Sequence, residues 1–66
     1  MELSEQSLSE AKRQIDSTLH KLRETIKTLE AKENPERYRA QITLAKRRVE
    51  AFALANYLIE RELTGQ

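Results

Sequence analysis

Two groups of residues have types and spacings that suit chemistry. Asp16, His20 and Glu24 recur at every fourth position. On a helix that spacing stacks three side chains along one face, and a histidine with carboxylates one turn away can hold zinc. The second group lies in RYRAQITLAKRR, residues 37–48, where Arg37, Arg39, Lys46, Arg47 and Arg48 meet no acid. Doubled in a dimer, those five cations would line a surface able to follow a phosphate backbone.

Neither group has all that its chemistry requires. His20 is the only histidine and there is no cysteine, so zinc would rest on one nitrogen and two carboxylates with no second shell. The three residues are expected on the face of their helix opposite its apolar stripe, as exposed i,i+4 contacts around His20. The basic segment carries no nucleic-acid motif, and the pI of 8.1 lies below the values above about 9 that mark such domains. It is expected to be a solvated face balanced by Glu36, Glu50 and the acids of the first helix. No Ser–His–acid set falls where a helix would join it, and no Gly-rich loop is present. The expectation is a chain that is not an enzyme and holds no cofactor and no metal.

The elements that must position these residues follow from composition and period. Of 66 residues, 35% are charged, the net charge is +1, and one Gly and one Pro leave little room for turns. Ala, Leu, Glu, Lys, Arg and Gln dominate, a composition that favours helices. A chain this short buries only about 60% of the surface its unfolded form exposes. With no cysteine to staple it, the expected support is a partner. The N-terminal MELSEQSLSE has neither a basic nor an apolar region of a signal peptide. The longest apolar run, AFALANYLI, is nine residues counting Asn56, far short of the roughly 20 that span a bilayer. A cytoplasmic protein without a membrane partner is expected.

One domain, residues 1–66, should hold two helices. The first is expected over about 4–32, with Ser4 as N-cap and Leu3 stapled to Leu8. Its apolar series is Leu8, Ala11, Ile15, Leu19, Leu22, Ile26, Leu29. The turn is expected at about 33–34, because Asn34 is a good N-cap and Pro35 suits the first helical position. The second helix should then run over about 35–63 and stop before Gly65. Its series is Tyr38, Ile42, Ala45, Val49, Phe52, Asn56, Ile59, Leu63, with steps alternating 4 and 3 as in heptad a and d positions. Facing residues of an antiparallel pair have position numbers of constant sum. Leu8 with Ile59, Ala11 with Asn56, Ile15 with Phe52, Leu22 with Ala45 and Leu29 with Tyr38 all give 67, and Leu19 with Val49 and Ile26 with Ile42 give 68. The fold class is therefore all-α, an antiparallel two-helix hairpin.

The second helix has a second apolar row beside its seam, Ala40, Leu44, Ala51, Ala55 and Leu58. A lone hairpin would leave that row in water. The expected cover is another copy, giving a homodimeric four-helix bundle with Leu44, Ala51, Ala55 and Leu58 at its interface. Asn56, in the seam, is expected to fix register by pairing with its mate or with a polar group of the first helix. Arg48 should lie at the rim as a partner contact. The function expected is a small non-enzymatic protein-interaction or regulatory module acting on another protein. The alternative is a nucleic-acid-binding hairpin dimer using Arg37, Arg39, Lys46, Arg47 and Arg48.

Overall fold

The computed structural model describes residues 3–65, which form two long helices folded back on each other. α1 spans Glu5–Glu30 and α2 spans Arg39–Thr64; between them lie residues 31–34 and a 3₁₀ turn, Pro35–Tyr38. Lys12 near the start of α1 touches Glu60 near the end of α2, while Glu30 touches Lys46. The arms are therefore antiparallel. The described residues contain no strand.

α1 starts at Ser4, whose hydroxyl accepts the Ser7 N–H at 3.1 Å while the Ser7 hydroxyl donates to the Ser4 carbonyl at 3.0 Å. This satisfies one of the orphan amides of the first turn, and Glu5 suits the positive helix end. Leu3 is 65% exposed, so the expected staple to Leu8 gains little burial. α1 stops at Glu30, two residues before the expected end, and the chain tightens there. Ala31 N–H still reaches the Lys27 carbonyl at 3.1 Å, but Lys32 N–H reaches Leu29 at 3.3 Å, an i→i+3 contact.

The second arm opens differently from expectation. The Asn34 side chain makes no capping bond. Instead its backbone carbonyl accepts the Arg37 N–H at 3.2 Å, so Pro35 opens a 3₁₀ turn and α-helical geometry begins only at Arg39. Such turns are common at helix entries, and the fixed proline φ is compatible with them. At the far end Gly65 takes φ 76°, the left-handed conformation of a helix C-cap.

Every residue of the two apolar series is at least half-buried. Only Leu19 and Ala45, at 5% and 7% exposure, are fully buried. The molecule measures 46 × 19 × 15 Å, a rod set by helices of about 1.5 Å rise per residue. It exposes 5432 Å², whereas a compact monomer of 7.7 kDa would expose roughly 4,300 Å². The polar pairs across the arms have position numbers adding to 72 for Lys12–Glu60 and Asp16–Asn56, and to 76 for Glu30–Lys46. These exceed the 67 and 68 expected of the apolar pairs, and Asn56 meets Asp16 rather than the expected Ala11.

Candidate interaction surface

The seam has two flanks, and they are built from different residues. On one flank Lys12 Nζ lies 3.1 Å from Asp16 and 3.2 Å from Glu60. Asn56 Nδ2 donates to Asp16 Oδ1 at 2.5 Å. Lys46 Nζ lies 3.1 Å from Glu30. Hydrogen bonds from Lys12 and then Asn56 hold the Asp16 carboxyl below its ordinary range. Lys12 is raised above its own by Asp16 and Glu60. Each partner favours the charged form of the other.

The opposite flank carries the second apolar row. Leu44 and Leu58 are 49% and 51% exposed, and Ala40 and Ala51 are exposed beside the half-buried Ala55. Here a shallow groove of about 340 Å³ is lined by Leu22, Thr25 and Leu29 of α1 and by Gln41, Leu44, Ala45 and Arg48 of α2. At about 100° per residue, the edge of α1 beside it is formed by Ser7, Gln14, Thr18 and Thr25, none of them charged. A recess at residues Ser4–Arg13 has a single helix for its wall and encloses nothing.

Residues 51–59 contain no charge over two and a half turns. They therefore form an apolar collar around the whole of α2. Leu54 and Tyr57, 60% and 56% exposed, face away from both the seam and the second row, with the Arg61 guanidinium 5.8 Å from the centre of the Tyr57 ring. Neither residue belongs to the seam or to the second apolar row. The signal was present, since an apolar run longer than two turns must point in every direction.

Asp16, His20 and Glu24 do not act together. Asp16 lies at the edge of the seam rather than opposite the stripe, because it is one turn from Lys12 and next to Ile15, and its oxygens bind Lys12 and Asn56. Glu24 pairs with Lys27 at 3.4 Å, and His20 is exposed. The expected contacts around His20 are thus replaced by lysine pairs. Among the described residues, no group of three or more His, Asp or Glu side chains is placed to hold a metal ion.

The basic segment is spread over three directions. Arg39 and Lys46 share one side, where they pair with Glu36 at 2.8 Å and Glu30 at 3.1 Å. Arg47 faces outward. Arg37 and Arg48 flank the second apolar row, and neither they nor Arg47 have a carboxylate partner among the described residues. Asn56 takes the α1 partner of its two expected partners. Its Oδ1 is buried without a hydrogen bond.

No helix among the described residues is long and apolar enough to cross a membrane. Compared with known protein families, curated proteins and solved structures, the chain shows no match. Any functional reading therefore rests on the surface itself.

Proposed function

We propose that this chain is a small, cytoplasmic, non-enzymatic interaction module that works as a homodimer of helical hairpins and engages another protein. The observation that carries this reading is the apolar surface the hairpin leaves in water: Leu44, Leu54, Tyr57 and Leu58 are each about half exposed or more. The surface excess over a compact monomer, about 1,100 Å², is larger than the roughly 800 Å² each partner gives to a standard interface. Pairing through the second row makes a four-helix bundle with α2 central and leaves Tyr57 on the outside, available to a different protein. Light scattering after size exclusion at tens of micromolar should give twice 7.7 kDa, and the melting temperature should rise with protein concentration. A monomeric mass with full helicity overturns the homodimer.

A second reading is supported by Arg37, Arg47 and Arg48, which lack carboxylate partners, as the surface of a nucleic-acid-binding dimer. Retention on a nucleic acid column that falls steeply with added salt would favour it. No retention at low salt would leave the protein-interaction reading.

A further inference from the structure

The second row of α2 is more than an apolar stripe. Within α2, Gln41, Leu44, Arg48, Ala51, Ala55, Leu58 and Glu62 follow steps of 4 and 3 without a fault, and Arg37 stands one step before them in the 3₁₀ turn. That is a complete second set of a and d positions, rotated by about 100° from the seam that holds α1. α2 thus carries two coiled-coil seams, and the hairpin occupies one.

The second seam is self-complementary in one direction only. Leu44, Ala51 and Leu58 are spaced by sevens, so the sequence of sizes reads large, small, large from either end. Its polar residues are not symmetric: the start carries Arg37 and Gln41, the end carries Glu62, and Arg48 lies off-centre. In a parallel pair each of these would meet itself, placing Arg37 on Arg37, Arg48 on Arg48 and Glu62 on Glu62. Like charges in register oppose association. In an antiparallel pair centred on Ala51, Leu44 meets Leu58 and Arg48 meets Ala55. The small alanine leaves room for the arginine stem to run outward to solvent. Glu62 then meets two donors one turn apart, Arg37 and Gln41.

Resting on the homodimer reading above, we infer that this face binds a second copy of the same chain in antiparallel register. The two-fold axis passes at Ala51, Leu44 of each copy packs on Leu58 of the other, and Glu62 of each closes on Arg37 and Gln41 of the other. The occupant is a second copy because the face supplies its own complement in size and in charge. The uncharged edge of α1 formed by Ser7, Gln14, Thr18 and Thr25 borders the same face, so the approaching α2 meets no buried charge from that side.

The absence of cysteine makes the register directly readable by cross-linking. Ala51→Cys should form a covalent dimer under mild oxidation, because residue 51 meets its own copy on the axis. Leu44→Cys alone should not, because its two copies stand about 20 Å apart while a disulfide needs Cα atoms within about 7 Å. A mixture of Leu44→Cys and Leu58→Cys should link the two variants. So should a mixture of Arg48→Cys and Ala55→Cys, which keeps both leucines in place. Separately, Arg37→Glu and Glu62→Arg should each raise the dimer dissociation constant several-fold, and the two together should restore it. Self-linking of Leu44→Cys or Arg48→Cys in a protein of dimeric mass overturns the antiparallel register and leaves the homodimer standing. A dimeric mass with no link at any of these positions overturns this face as the interface. A monomeric wild-type mass overturns the homodimer itself.

Discussion

On one flank of the seam Lys12, Asp16, Asn56 and Glu60 tie α1 to α2; on the other, Leu44 and Leu58 stand half exposed beside serine, threonine and glutamine. The bridged flank is polar but wet, and exposed ion pairs are worth little each because water and salt screen them. What it supplies is register, since Asp16 and Asn56 are short side chains that meet at one alignment of the arms. The bare flank has no partner within the chain but holds the larger reserve of burial energy. A fully covered leucine is worth about 1.5–3 kcal/mol, so covering the exposed half of Leu44 and Leu58 on two copies offers roughly 4 kcal/mol. Alignment is decided within the chain, and much of the remaining stability is available only outside it.

Charging the bare flank should have the largest effect. Ala51→Glu or Leu58→Glu places an unpaired carboxylate in the proposed joint and should destabilise the dimer by several kcal/mol, on the order of 3. Thermal melts and light scattering read both consequences. If mass and melting are unchanged, the bare flank is not a joint and the contrast between the flanks has no energetic meaning.

Asn56→Leu sharpens the comparison from the bridged side. The substitution removes a buried Oδ1 that has no partner and fills the seam, while Asp16 keeps Lys12. A stabilisation of about 1 kcal/mol is expected, together with looser register and a mixture of species in sedimentation. A less stable variant of unchanged mass would show that the Asp16 bond outweighs the burial of the amide.

Smaller still is Lys46→Ala, which breaks the pair with Glu30. Both side chains are about half exposed, so denaturant melts should show a loss of at most about 1 kcal/mol. The loss should shrink as salt is raised. A larger, salt-insensitive loss would mean that this pair is shielded from water.

The pH dependence should be shallow but signed. Asp16 is held below its ordinary range by Lys12 and Asn56, so its contribution is present above the ordinary aspartate value of about 4. It is lost as pH falls through the lowered value. Lys12 is raised by Asp16 and Glu60, so its share is present below the ordinary lysine value of about 10.4 and fades as pH rises through the raised one. A melting temperature flat between these limits and falling beyond each is expected. Asp16→Asn should flatten the acid side.

Much of the fold was readable because its signals are local. Ser4 caps with its own third neighbour, Gly65 relieves a left-handed backbone, and the 3–4 spacing of apolar residues fixes which face of each helix is shielded. Those relations act within one or two turns and need no knowledge of the rest of the chain. The second seam was likewise legible as an apolar row. Its polar member Glu62 is harder to see, because heptad positions announce themselves by hydrophobicity.

The partner of Asp16 across the seam was decided by tertiary structure. The helix wheel of α1 puts Asp16 beside the apolar stripe but cannot say what stands across from it. The antiparallel approach of α2 brings Asn56 and Glu60 to the edge where Lys12 and Asp16 stand, which takes Asp16 away from His20. The 3₁₀ entry at Pro35 is local, closed by the Arg37 N–H on the Asn34 carbonyl. The sequence by itself determined two amphipathic helices and the turn between them, because short-range backbone and side-chain rules suffice for that. Only the tertiary structure decided which flank is bridged and which is left bare, because that depends on residues 16 to 48 positions apart meeting in space.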